Sequence, residues 1–172
     1  MGGKLYDGTI IRKYGIRFDT VIAICEDLLF VIEYLSHATG DTVWNQSTPY
    51  FYRPNIKGAV KGRYEKDHIF KESELTEISA LEKCEKHLIP GYIEVRNAWE
   101  MRKVKAATNT LRTMVANGVG ETEERARLHK MIKGYALRSV YSNSLATSSK
   151  ISILLSAISP RIELYFRARK KT

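Results

Sequence analysis

Residues 91–140 read GYIEVRNAWEMRKVKAATNTLRTMVANGVGETEERARLHKMIKGYALRSV. Ile93, Met101, Val104, Thr108, Leu111 and Val115 recur at helical spacing, which predicts a helix over about 92–117. Asn117-Gly118 and Gly120 supply its stop signal. Thr122 opens the next helix, whose inward residues are Leu128, Met131, Ile132 and Tyr135; Gly134 weakens it modestly. A connection as short as 118–121 favours an antiparallel hairpin of the two helices.

Toward the N-terminus, Ser73 reads as the cap of a helix carrying Leu75, Ile78, Leu81, Cys84 and Leu88, stopped by Pro90-Gly91. Glu72, Glu74 and Glu77 sit at its positive end. Another helix is expected over about 19–38. Asp19 is its cap, Val21, Ile24, Leu28, Ile32 and Leu35 are its core face, and Gly40 is its stop. Asp19, Glu26, Asp27 and Glu33 make it amphipathic rather than membrane-spanning. Residues 9–11 and 16–18 read as short strands split at Gly15. Helical spacing fails over 41–70, where aromatics alternate with Pro49, Pro54, Gly58 and Gly62; short strands at 42–45, 49–53 and 59–65, or an irregular loop, fit there.

On the C-terminal side, Ile151, Leu154, Leu155 and Ile158 share one helix face, and Pro160 blocks simple continuation. Beyond it Ile162, Leu164, Phe166 and Ala168 alternate with polar or aromatic neighbours, the strand pattern; a short helix with Ile162, Tyr165 and Phe166 inward is the alternative. The expected fold is mainly α: a bundle of four to five helices with a small β element, α+β being the alternative. It occupies a single domain over 1–172, with an aromatic and basic segment at 41–70 and a basic C-terminal segment at 161–172.

The 172 residues are 44% hydrophobic and 27% charged, which is enough apolar material for a real core without metals or disulfides. Lysine and arginine number 28 against 19 acidic residues, a formal charge of +9. The excess is confined to one half. Residues 91–172 hold 16 basic and 6 acidic side chains, whereas residues 1–90 hold 12 and 13. Such asymmetry implies a basic face and an anionic partner. Cys25 and Cys84 sit in apolar helical contexts and read as free thiols of a reducing compartment. No signal-peptide pattern is present, and Tyr6 occupies the place of the hydroxyl a myristoylation motif needs, so a cytoplasmic or nuclear protein is expected.

No pattern for catalysis emerges. His37, His68, His87 and His129 lack metal-ligand spacing, and no metal or cofactor is expected. There is no nucleophile elbow and no cysteine in a basic setting. Gly118-Val119-Gly120 matches neither phosphate-loop spacing. Glu123 and Glu124 occupy a first turn that acids stabilise anyway. A non-enzymatic role with no evident small-molecule substrate is therefore expected.

The basic surface is more informative. With Val104 facing the core of an ideal helix, Arg112, Lys105, Asn109 and Arg102 fall at about 80°, 100°, 140° and 160°, a polar flank able to track phosphates. Trp99 falls near about 220° on the same wheel, beside Arg102 and Lys103, where it could stack a base; packing on a neighbouring helix or subunit is the alternative. Arg127 and Lys130 extend the basic face onto the next helix. Arg53, Lys61 and Arg63, interleaved with Tyr50, Phe51, Tyr52 and Tyr64, suit single-stranded RNA. The expected function is RNA binding through backbone and shape, with homo-oligomerisation. The alternative is a structural or assembly protein that contacts an anionic membrane or ribonucleoprotein.

Overall fold

The computed structural model describes residues 4–41, 43, 68–88 and 90–169. Seven α-helices and one 3₁₀ turn, with no strand, occur among the described residues: α1 (Gly8–Tyr14), α2 (Glu26–His37), the 3₁₀ turn (Glu72–Leu75), α3 (Thr76–Glu85), α4 (Ile93–Ala116), α5 (Glu123–Val140), α6 (Thr147–Ile158) and α7 (Pro160–Arg169). The protein is a helical bundle. The expected strands at 42–45, 49–53 and 59–65 fall outside the described residues, apart from residue 43.

Helix α4 is central. It packs against α3, α5, α6 and α7. The expected one-sided stripe is correct for Met101, Val104, Thr108 and Leu111, but Trp99, Ala106, Ala107, Thr110 and Met114 are buried too. Four neighbours cover more than one side of the helix, and the small residues at 106–110 leave room for close approach. Ile93, expected inside, is exposed at the helix start.

The hairpin forms, as the short connection favours. Gly118 has φ 69°. Its N–H bonds Val115 O at 3.1 Å and the Val119 N–H bonds Met114 O at 3.0 Å, the paired bonds of a Schellman stop with glycine in the left-handed position. Thr122 Oγ1 accepts from Arg125 N at 3.2 Å and caps α5. At the opposite end Arg138 of α5 reaches Asn97 and Glu100 of α4, which makes the pair antiparallel.

Three expectations near the N-terminus need correction. The strands at 9–11 and 16–18 are not strands. Asp7 Oδ1 accepts from Thr9 N at 2.7 Å and starts α1, and Gly15, at φ 64°, stops it. The helix expected from Asp19 begins seven residues later, after Cys25 in a left-handed conformation. Asp19 instead closes a turn onto Val21 N and pairs with Lys83, while Thr76 Oγ1 accepts from Ala23 N and Ile24 N. These tertiary anchors hold 19–24 in a non-helical path. The core face shifts accordingly: Ile22, Ile24, Leu29 and Phe30 are buried, Leu28 and Ile32 pack partly, and Val21 (77% exposed) and Leu35 lie outside. Phe30 is buried by the N-terminal segment, stacked on Phe18 at 4.6 Å and meeting Tyr6 edge-on at 5.5 Å.

Ser73 lies inside the 3₁₀ turn and does not cap a helix; Glu74 Oε1 accepts from Lys71 N at 3.0 Å there. Ile78, Leu81 and Cys84 are fully buried, as their spacing implies. In α6 the expected face is rotated. Ile151 and Ile158 are exposed, and Ser152, Ile153 and Ser156 are buried. Residues after Pro160 are helical despite their alternation. Proline is suited to a first helical position, and the N–H groups of Ile162 and Glu163 bond Ser159 O.

Leu111→Ala is expected to cost about 2–5 kcal/mol, as large-to-small changes in a closed core do. Val21→Ala should stay within about 0.5 kcal/mol. Urea unfolding of both variants checks the pair, and equal losses would contradict the burial pattern.

Candidate anion-binding surface

The tertiary structure divides the expected basic residues among three sides of the bundle. Trp99 is a correction. It is only 9% exposed, and its Nε1 donates to Leu81 O at 3.0 Å, so the indole is a spacer between α4 and α3. Its wheel position points away from Val104, but α3 covers that side of α4. Arg102 is exposed and lies over the indole, 5.7 Å from the ring centroid. Its positive charge also pulls against the rise in the Cys25 thiol pKa.

Burial pushes the Cys25 thiol pKa up, and Glu77 adds to this against the pull of Arg102. Burial likewise pushes Cys84 to about 11, with Cys25 contributing. Both therefore stay protonated near neutrality, which suits packing and not nucleophilic chemistry.

Lys103 and Arg127 also face α3. Lys103 Nζ lies 2.5 Å from Glu85 Oε2, with its side chain only 11% exposed. Arg127 pairs with Glu82 and Glu124, each at 3.0 Å. Both charges are neutralised by carboxylates in place.

Lys105 and Arg112 face α6. Arg112 Nη2 donates to Asn109 Oδ1 at 2.9 Å, and Nη1 lies 3.5 Å from Glu163 Oε1. Glu163, in α7, is 2% exposed and accepts from Ser152 Oγ at 2.6 Å. This Arg112–Glu163–Ser152 network ties α7 to α4 and α6. Lys105 stays exposed and lines a cavity of about 200 Å³ between α4 and α6.

Lys130 lies on the remaining side, in a groove of about 620 Å³ between α5 and the α6–α7 junction. Lys133 and Arg161, outside the expected set, line the same groove. Arg125 and His129 form part of its wall, but they are engaged: Arg125 with Glu121 at 2.9 Å and with Val119 O, His129 Nε2 with Ala157 O at 3.2 Å. Lys130, Lys133 and Arg161 make no side-chain hydrogen bond or ion pair among the described residues. Helical spacing alone places Lys130 and Lys133 near one another. Arg161 joins them only because α6 ends at Ser159 and the chain turns beside α5. Arg53, Lys61 and Arg63 lie outside the described residues.

Among the described residues no three His, Cys, Asp or Glu side chains gather to hold a metal, and no helix is long and apolar enough to cross a membrane. No protein-family model, curated protein or solved structure matches the chain.

Arg112→Ala leaves the Glu163 carboxylate buried beside α4 without its guanidinium. It is expected to destabilise by about 3–5 kcal/mol, and Arg112→Ala with Glu163→Ala by less than the two single changes added. A double-mutant cycle in chemical denaturation checks this; additive losses would mean that the two groups are not coupled.

Proposed function

We propose that this protein binds nucleic acid, RNA in particular, by its phosphate backbone, through the groove between α5 and the α6–α7 junction. The observation that carries the reading is the convergence of Lys130, Lys133 and Arg161 on one concave surface without carboxylates to neutralise them. Glu121 is the one acid of that lining, and Arg125 already holds it. Each cation that meets a phosphate releases a counterion, so binding is driven by charge and falls with salt. Two of the three cations are lysines, which meet phosphates as compact point charges, and this favours backbone and shape over sequence. The groove belongs to the half of the chain that holds 16 of the 28 basic residues.

Lys130→Glu with Lys133→Glu should weaken binding to single-stranded RNA of any sequence. It should also flatten the log–log salt slope by about 0.7 for each phosphate that is no longer neutralised. Arg102→Gln, on the α2–α3 side, should leave both unchanged. Fluorescence anisotropy over a salt series reads this. Unchanged affinity in the double variant overturns the groove as the site, and binding to phosphatidylserine vesicles without binding to RNA overturns the choice of partner.

A second reading, a self-associating assembly protein, is favoured by a separate observation. Tyr92 and Ile93 at the start of α4, and Leu137 and Tyr141 at the end of α5, are all more than half exposed at the same end of the hairpin. Large exposed apolar groups of this kind mark interaction surfaces. Sedimentation should then show a concentration-dependent dimer that Leu137→Asp converts to monomer; a monomeric wild type at every concentration rejects it.

A further inference from the structure

We infer that the cavity between α4 and the start of α6 is a phosphate-group site, separate from the α5 groove and independent of the RNA reading. Its wall mixes polar side chains with the apolar Ile153, and its charges are of one sign. Lys105, Asn109 and Arg112 come from α4, and Ser148, Ser149 and Ser152 from α6, with no carboxylate among the described residues that line it. Glu163 stands behind Arg112 and is not part of the wall.

The individual donors sort by availability. Ser152 Oγ is committed to Glu163, and Arg112 to Asn109 and Glu163. The Lys105 ammonium and the hydroxyls of Ser148 and Ser149 make no hydrogen bond or ion pair among the described residues. One rotatable ammonium and two rotatable hydroxyls thus face a wall whose fixed positive group is held in position from behind. An oxyanion would accept from all three and sit near the guanidinium, and such charge-assisted bonds are the strong ones. Ser148 and Ser149 lie in the first turn of α6, whose partial positive charge has the same sign.

Size narrows the ligand. About 200 Å³ corresponds to roughly seven waters at about 30 Å³ each, and it lies below the roughly 300–1,000 Å³ of pockets that enclose drug-sized molecules. A single phosphate with part of its hydration shell fits inside, and the remainder of any larger ligand would lie outside. The group recognised is therefore one phosphate, free or carried by a larger ligand.

The test uses the full chain and inorganic phosphate, followed by amide and side-chain nuclear magnetic resonance. Saturable shifts are expected at Ser148, Ser149 and Asn109. Lys105→Gln should weaken binding about tenfold, the loss of one charge-assisted hydrogen bond. Ser149→Asp, which puts a carboxylate in the wall, should abolish it, and Lys86→Gln, an exposed lysine beyond α3, should change nothing. A 5′-phosphorylated RNA oligonucleotide that shifts these residues when its 5′-hydroxyl counterpart does not assigns the phosphate to an RNA end; equal behaviour of the two with retained phosphate binding assigns it to free phosphate. Identical titrations of wild type and Lys105→Gln, or shifts spread evenly over surface lysines, overturn the site. Because Lys105 is not in the α5 groove, loss of phosphate binding with salt-dependent RNA binding intact separates failure here from failure of the RNA reading.

Discussion

Burying α4 on more than one side constrains the rest of the bundle. Its middle turns expose almost nothing at Val104, Ala107, Thr108 and Leu111, and α3, α5, α6 and α7 all lie against it. A helix enclosed this way can keep polar and charged groups only where an acceptor or counter-charge answers them or where a gap between neighbours admits water. Thr108 meets the first requirement internally, its hydroxyl donating to Val104 O at 2.8 Å. Trp99 meets it by donating to Leu81 O.

The same constraint sorts the cations of α4. Lys103 falls beside α3 and finds Glu85; Arg112 falls beside α7 and finds Glu163. Lys105 falls at the gap between α4 and α6 and keeps its charge exposed to solvent. The positive excess of the second half is thus less available than the number of its basic residues implies. Among the described residues, Lys105, Lys130, Lys133 and Arg161 stay open at two concave places, the α5 groove and the α4–α6 cavity, and concavity focuses the field of few charges onto a ligand.

The buried Arg112–Glu163–Ser152 network has a structural consequence for the groove. It fixes α7 against α4 and α6, and α7 begins at the Ser159–Pro160–Arg161 corner that closes the groove. A polar network that is well buried specifies one arrangement because alternatives leave its groups unpaired. The position of Arg161 near Lys130 and Lys133 follows from this docking, so the surface that meets solvent is set by packing inside the core.

Residue spacing by itself determined the helical class, the α4–α5 hairpin with its glycine stop, and the buried stripe of α3, because each depends on interactions within a few residues. It also located the positive excess in residues 91–172. It misjudged Ile93 and the faces of α2 and α6, and left Trp99 between base stacking and helix packing, since a single-helix wheel assumes one buried side and cannot count neighbours. It read 9–11 as a strand and left the segment after Pro160 between strand and helix, because alternation over few residues does not reveal a cap at Asp7 or a proline that starts a helix. Of the candidate site, Lys105, Arg112 and Lys130 were legible as basic residues on helices. Which cations are neutralised by Glu82, Glu85 and Glu163, and which open onto a cavity, was decided only by the tertiary structure, because ion pairs between helices join residues far apart in the chain.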